Sequence, residues 1–327
     1  GTVSAGKWIA TLAGQSCNLY RDMNAVAASD IAMTAVAASE TAMAAVVSNA
    51  TALNALVTSQ VALNAVAASE TAMAAVIGNV TALNAVVTSQ LAMNAVAASE
   101  TAMTAVIANT AAFNTVVTSH VAMNAVASSY VAVAAVYESA VAVEAVKANE
   151  TAWSTLTGAS SAVMGKAAAK LVGLNPADYA DMDAIAASST AMAAIASSQT
   201  AMAAIASSQT AMAAIASSST AMAAIASSSI ALNTIAASTT ALDAIYAKKK
   251  RMSGASASLS GKFIILQISN DNAFDTSQYG YATLSDGSKP KWDSYKGKYA
   301  YFKQYKKIAT YMKNDTDRDD WIDYFQC

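Results

Sequence analysis

The residues that could carry chemistry are few in this chain, and their spacing does not form a catalytic centre. His120 is the single histidine, so neither Ser–His–Asp nor Cys–His catalysis has the residues it needs. Histidines and cysteines do not cluster at the spacing of a metal site, and the sequence contains no Gly-rich phosphate loop. We therefore expect no enzyme activity, no cofactor and no metal, and we interpret His120 as a solvated repeat position.

One acidic motif partly matches a calcium-binding loop. Asp315, Asp317 and Asp319 have the alternating spacing that begins such a loop, but Asp320 stands where Gly is required and Gln326 stands where Glu is required. We therefore predict a solvated turn.

A basic run, KKKR at 248–251, follows the last repeat. It could bind a polyanion or act as a targeting signal. It also suits the C-terminal end of a helix, where the helix dipole favours cations, and we prefer this second interpretation.

Aromatic residues near the C-terminus are the best candidates for a binding surface. Tyr and Trp combine a flat apolar face with a polar tip, which suits contact with a sugar or a protein. Lysines alternate with these aromatics, which favours an anionic cell-surface glycan over nucleic acid. A small domain also needs aromatic residues in its core, so both roles stay open. The receptor-binding candidates are Tyr279, Tyr281, Trp292, Tyr299, Tyr301 and Trp321.

These candidates follow a long array of ten-residue units. Each unit opens with Ser or Asn, carries a large apolar residue at its fifth position and another apolar residue at its eighth, and is otherwise rich in Ala. The segment AVAASETAMAAV recurs from Ala35 and from Ala65, which adds a period of thirty and suggests duplication of a triplet. A fixed short period predicts a repeat architecture, in which each unit buries its apolar face against its neighbours.

Helix is the predicted state of each unit, because TAMAAVVS does not alternate as a strand would and Ala favours helices. Ten residues fall well short of three full helical turns, so the apolar stripe would swing quickly around a straight helix. Ser and Asn are preferred N-caps. We therefore favour a solenoid of short capped helices over the alternative, a supercoiled continuous helix in a trimeric coiled coil.

The predicted fold is mainly α, an elongated repeat array with a small α+β C-terminal domain. Charged residues make up only 12% of the chain, and polar residues interrupt every apolar run, so we expect neither a membrane span nor a nucleic-acid partner. Cys17 and Cys327 are too few for a disulfide scaffold. The predicted segments are a cap or joint (1–28), a first array (29–158), a Gly/Pro joint (159–182), a second array (183–252), a linker (253–261) and a tip domain (262–327).

The repeat units resemble the decapeptide repeats of bacteriophage tail-fibre proteins, as in SQTAMAAIAS around Met202. The C-terminal sequence, from GKFIILQISN through YGYATLSDGS to WIDYFQC, is similar to a small terminal domain of such fibres. The resemblance implies an extracellular, virion-attached homotrimer with other virion proteins as partners, whose distal end meets a host glycan or protein. A purely structural filament or decoration protein and a cell-surface adhesin are the alternatives.

Overall fold

The protein is described by a computed structural model that covers residues 1–253, 257–269, 280–284, 287, 291–292, 302–313 and 321–326. The chain divides into two compact units, Gly1–Val163 and Met164–Cys327. Each consists of short α-helices, and the second also contains a β-sheet. This is the mainly helical repeat fold with a small C-terminal domain that the sequence predicts.

The helices of the first unit follow the ten-residue repeat, and a short 3-10 helix (Cys17–Leu19) precedes them near the start. The α-helices are α1 (Thr2–Leu12), α2 (Met23–Ala27), α3 (Asp30–Ala38), α4 (Glu40–Val47), α5 (Ala50–Val57), α6 (Gln60–Ala67), α7 (Glu70–Ile77), α8 (Val80–Val87), α9 (Gln90–Ala98), α10 (Glu100–Ala108), α11 (Thr110–Thr118), α12 (His120–Ala127), α13 (Tyr130–Glu138), α14 (Ala140–Lys147) and α15 (Glu150–Thr157).

The next helix spans the boundary between the two units, and the helices after it belong to the second unit, with a 3-10 helix at Pro176–Asp178. They are α16 (Ser161–Leu171), α17 (Met182–Ala187), α18 (Ser189–Ala196), α19 (Gln199–Ser207), α20 (Gln209–Ser217), α21 (Ser219–Ala226), α22 (Ser229–Ala237) and α23 (Thr239–Tyr246).

The Ser or Asn that opens each unit sets the helix boundary. Ser69, for example, has an extended backbone (φ −113°, ψ 120°), and its hydroxyl accepts a hydrogen bond from the N–H of Ala72. The extended cap stops one helix and starts the next, so successive helices such as α3 and α4 meet at 100°. Because the axis bends at each corner, the apolar stripe never has to continue along one straight helix. The coiled-coil alternative is therefore wrong.

Three helices complete one coil. Helix α6 packs on α3, and α9 packs on α6, so that residues thirty apart in sequence stack in neighbouring coils. A second hydrogen bond of the cap serine crosses between coils: the Ser69 hydroxyl donates to the carbonyl oxygen of Ala37, at 2.6 Å. The same bond joins Ser129 to Ala97 (2.6 Å). The thirty-residue recurrence in the sequence is thus the coil period.

The core lies inside each coil. Most of the predicted fifth- and eighth-position residues are buried; Met103 and Val106, for example, are at most 2% exposed. The fourth position is always Ala within the two arrays and is equally buried, as at Ala102. This alanine follows the cap by three residues and supplies the N–H that the cap accepts, where a larger side chain would have no room. A single chain therefore buries these apolar residues in its own core.

Both units begin with the same cap. In the first, α1, a 3-10 helix and α2 lead into the array; in the second, α16, a 3-10 helix and α17 do so. Gly6 of α1 and Gly165 of α16 each lie against the backbone at the start of the following short helix, and a Cβ there would be 2.3 Å and 2.4 Å from the nearest backbone atom. Segment 159–182, predicted as a joint, therefore contains a second copy of the N-terminal cap.

The described residues of the C-terminal part form a six-stranded antiparallel sheet in the order β1-β6-β2-β5-β3-β4. Strand β2 begins inside segment 253–261, so the linker predicted there is wrong for its last residues. Both faces at the middle of the sheet are covered, since neighbouring residues Phe263, Ile264 and Ile265 are all fully buried. The strands are β1 (Lys250–Ser253), β2 (Ser258–Ser269), β3 (Gly280–Leu284), β4 (Lys291–Trp292), β5 (Phe302–Lys313) and β6 (Trp321–Gln326).

Replacing a cap serine should weaken one corner of the solenoid. We expect Ser69→Ala to lower the unfolding free energy by about 2 kcal/mol, since a lost N-cap costs ~1 kcal/mol and the Ala37 carbonyl loses its donor at a cost of ~1 kcal/mol. Urea unfolding and amide exchange at Ala72 measure the effect. Ser48→Ala is the control, because the Ser48 hydroxyl bonds only at an exposed helix end (2.6 Å to the Ala44 carbonyl). Equal stability of the two variants would contradict the double role of Ser69.

Acid should loosen the first cap. Asp22 accepts a hydrogen bond from the N–H of Ala25 at 2.9 Å, and this bond lowers the pKa of the carboxyl group. A carboxyl group whose pKa is lower in the folded protein stabilises the fold at pH values above its unfolded-state pKa, about 3.9. This stabilisation is lost as the pH falls through the folded-state pKa. Asp22→Asn keeps a capping side chain without the charge. We expect wild type to melt at a higher temperature than Asp22→Asn at pH 7, with the gap closing by pH 2.5; a constant gap would refute this.

Candidate binding surface at the C-terminal sheet

The structure places three of the six predicted aromatics on strands and leaves the others outside the described residues. Tyr281 lies on β3, opposite Lys291, and Trp292 lies on β4, opposite Gly280, so these two aromatics are one register position apart at one edge of the sheet. Trp321 lies on β6, opposite Ser269 of β2. Tyr279, Tyr299 and Tyr301 lie outside the described residues, as do Asp315, Asp317 and Asp319.

The strand order separates the aromatics into two groups. Strands β2 and β5 lie between β6 and β3, so Trp321 is three strand positions from Tyr281. At about 4.8 Å per strand, this is about 14 Å across the sheet. Tyr281 and Trp292 are on adjacent strands but one register position apart, and Trp321 is on a strand that does not neighbour either of them. The candidates on the described strands therefore lie at two places in the sheet.

An ion pair fixes the first strand to the last. The guanidinium of Arg251 on β1 donates two hydrogen bonds to the carboxylate of Asp323 on β6, from Nε at 2.7 Å and from Nη2 at 2.9 Å. Asp323 is fully buried, whereas the Arg251 side chain is 48% exposed. The hydrogen bonds that Arg251 donates to Asp323 raise the pKa of the guanidinium. Because β1 follows the last repeat, this pair joins the exit of the solenoid to the end of the sheet.

Aromatic packing stabilises the same strands. The rings of Phe263 and Tyr324 meet edge to face with their centres 5.4 Å apart, a preferred aromatic geometry. Burial raises the pKa of the Tyr324 hydroxyl. Tyr324 thus belongs to the core of the sheet, along with Met252, Ile265, Met312 and Ile322.

The sheet packs on the last coil of the second solenoid. Helix α22 contacts β5, and α23 contacts β6. A bulge in β2, where Gly261 has a φ of 146° that favours glycine, precedes Lys262. The Lys262 ammonium donates to the carbonyl oxygen of Ala226 at the end of α21. The sheet therefore covers the end of the solenoid, as the terminal unit of a repeat array must.

A cavity of about 420 Å³ lies where the sheet meets the solenoid. Two lysines of the basic run, Lys248 and Lys250, line it with Phe325 and Gln326 of β6 and residues at the start of α21. The run therefore does more than end a helix: α23 ends at Tyr246, and Lys250 and Arg251 are in β1. The Lys249 ammonium lies over the ring of Tyr246, 4.1 Å from its centre, and does not line the cavity.

Sequence reasoning missed the cavity because its walls come from three separate segments. The basic run was the one signal in the sequence. The apolar wall, Met222 and Phe325, is indistinguishable by sequence from ordinary core residues. Met222 occupies the fifth position of its repeat unit, and both residues are at most 7% exposed.

His120 is at the second position of its unit, at the start of α12, as predicted. It lines a small cavity of about 80 Å³ between α12 and α15, together with Asn149 and Thr151. In the part of the chain that the structure describes, no group of three or more His, Cys, Asp or Glu side chains is arranged to hold a metal ion. Cys17 carries a free thiol.

Among the described residues, no single helix is both long enough and apolar enough to cross a membrane. Six pairs of successive helices have the required length and hydropathy when the two helices are taken together, but each pair is sharply bent between them. No protein-family model matches the sequence. No curated protein matches it either.

Proposed function

We propose that this chain is a structural fibre protein of a bacteriophage virion, in which the repeat arms hold a receptor-binding sheet away from the particle. The observation that supports it most is that the second solenoid ends directly on the sheet, through α22 with β5 and α23 with β6. A repeat array that ends on a domain of different composition suits a spacer that carries a binding module. The resemblance of SQTAMAAIAS to tail-fibre repeats points to the same role.

The solenoid has the physical properties that a spacer needs. Each coil of thirty residues adds about 9 Å along its axis, the usual distance between packed helices. Its core is internal, and length is gained by adding coils without changing the ends. The two units with matching caps are consistent with growth of this kind by duplication.

The proposed partners are other virion proteins and a host surface glycan or protein. A homotrimer is the state that the resemblance favours, and the location is the extracellular virion. Since one chain buries its own fifth- and eighth-position residues, subunit contacts in such a trimer would use other surfaces.

A filament or decoration protein without a receptor is the second candidate. The near-identical units of the second array, such as QTAMAAIAS in both α19 and α20, favour it, because a pure spacer places few demands on individual residues. An adhesin of a cell surface would use the same architecture. These functions differ in whether the sheet binds a surface.

Adsorption of the labelled full chain to a panel of intact bacterial cells separates the candidates. We expect saturable binding to some strains, reduced at least tenfold by Tyr281→Ala with Trp292→Ala. A repeat-surface variant, Glu40→Gln with Glu70→Gln, is the control and should bind as wild type does. Absence of saturable binding to every strain would favour a filament without a receptor. Saturable binding that is equal for both variants would show that the receptor site does not include Tyr281 and Trp292.

A further inference from the structure

We propose that the cavity between the last coil and the sheet binds an acidic sugar residue through Lys248 and Lys250. This inference rests on the proposed function, since it assigns a ligand class to the receptor-binding end. It locates binding away from the edge that holds Tyr281 and Trp292.

Charge selects the ligand class. Two lysine residues, Lys248 and Lys250, line the cavity, and none of its lining residues is acidic. The Lys250 ammonium donates to the amide oxygen of Gln326 at 2.9 Å, which holds it at the wall and leaves its other N–H donors for a ligand. Both lysine residues are exposed, so a ligand can reach them from solvent. A carboxylate or sulfate is the complementary group.

The remaining walls suit a sugar ring. Met222 and Phe325 supply an apolar surface, and both are nearly fully buried. Ser219 and Gln326 add polar residues to the lining. A pyranose has an apolar face and a hydroxylated rim, and binding sites for small ligands combine apolar walls with a few polar groups in this way. A volume of about 420 Å³ is ample for such a ring.

The start of α21 strengthens the preference for an anion. Ser218 caps this helix, and its hydroxyl is already occupied: it accepts from the N–H of Ala221 at 3.2 Å and donates to the carbonyl of Ala186 at 2.6 Å. Ser219 is the first helical residue and lines the cavity. The positive end of the helix dipole therefore acts on the same space as the two lysines.

The basic run supplies its own control. Lys248, Lys249 and Lys250 are consecutive, but Lys249 lies over the Tyr246 ring and does not line the cavity. Lys248→Met, Lys249→Met and Lys250→Met therefore change net charge equally and differ in their distance from the proposed ligand. Any general electrostatic attraction would be reduced equally in all three.

The test uses the full chain and calorimetric or NMR titration with a glucuronic-acid disaccharide, its sulfated neutral counterpart, an unmodified neutral disaccharide, and inorganic sulfate. We expect the charged disaccharides to bind, and comparison of the two identifies the preferred acid group. Lys248→Met and Lys250→Met should each weaken binding about tenfold, the effect of one lost charged hydrogen bond, and Lys249→Met should not. Equal binding of the neutral disaccharide, equal weakening by all three variants, or binding of sulfate as tight as that of the sugars would overturn the proposal.

Failure of this inference can be distinguished from failure of the proposed function. If cells adsorb wild type and a Lys248→Met/Lys250→Met double variant equally, the fibre function stands and the cavity is not its receptor site. If the charged disaccharide binds in the cavity but no cell adsorbs the chain, the binding site stands and the receptor function fails.

Discussion

Arg251→Met should detach β1 from the sheet and destabilise the C-terminal domain by about 3 kcal/mol, the usual scale for removing one partner of a buried ion pair. The loss is large because Asp323 is fully buried and accepts two hydrogen bonds from the Arg251 guanidinium. An unpaired carboxylate in that place has lost its hydrogen-bond donors, and hydrating it requires the strand to open. Amide exchange in β1 and β6, followed by mass spectrometry, measures the opening.

Two matched variants isolate the ion pair. Lys250→Met removes the neighbouring charge on the same strand, whose side chain bonds to Gln326 at the surface, and should cost under about 0.5 kcal/mol. Arg251→Met combined with Asp323→Leu removes both charges and should recover most of the stability, because no buried charge is left unpaired. Protection of β6 in Arg251→Met equal to that of wild type would show that this pair does not hold the sheet.

Gly6→Ala should destabilise the first unit by about 3 kcal/mol, at the upper end of overpacking effects. The added Cβ would lie 2.3 Å from both the carbonyl carbon of Asp22 and the amide nitrogen of Met23. These are backbone atoms, so α1 would have to move away from α2 as a whole. Gly165→Ala should act likewise on the second unit, where the Cβ would lie 2.4 Å from the carbonyl carbon of Asp181.

Amide exchange of α1 and α2, or of α16 and α17, reports each effect within its own unit. Gly78→Ala is the control: Gly78 has an ordinary helical backbone (φ −71°) and the nearest atom to its added Cβ is 3.2 Å away, so the change should stay within about 1 kcal/mol. If Gly6→Ala and Gly78→Ala unfold at the same urea concentration, α1 does not lie against the start of α2 as described.

Local chemistry made most of the solenoid predictable. Each cap residue, such as Ser99, was recognisable from its type and its spacing, and the apolar fifth and eighth positions, such as Met103 and Val106, fall on the buried side of each helix. The helix type and its approximate limits follow from these positions alone.

The path between helices was not predictable in the same way. The cap residue marks each corner, but the size of the bend, such as the 100° between α3 and α4, does not follow from its residue type alone. The thirty-residue recurrence from Ala35 to Ala65 was visible but was interpreted only as duplication; its meaning requires contacts such as that between Ser69 and Ala37. The buried fourth position was also missed, because Ala102 looks the same as the exposed alanines around it.

The second cap was missed for a different reason. Gly165, Gly173 and Asp181 repeat the spacing of Gly6, Gly14 and Asp22, but glycine and proline near the middle of a chain are also typical of a joint. Close approach of α16 to the backbone at Asp181 distinguishes the two, and sequence spacing does not show it. The cavity was hidden similarly, since its walls converge only after folding.

The coil of thirty residues underlies both the spacer and the cavity, and spin-label distances test it most directly. Asn54 and Asn84 are exposed, thirty residues apart, on packed helices α5 and α8. With cysteine at both positions, Cys17 and Cys327 replaced by Ser, and labelled chains diluted with unlabelled ones, we expect dipolar broadening that corresponds to about 10 Å, the spacing of packed helices. A separation of about 45 Å, the rise of thirty residues in a continuous helix, would contradict the solenoid.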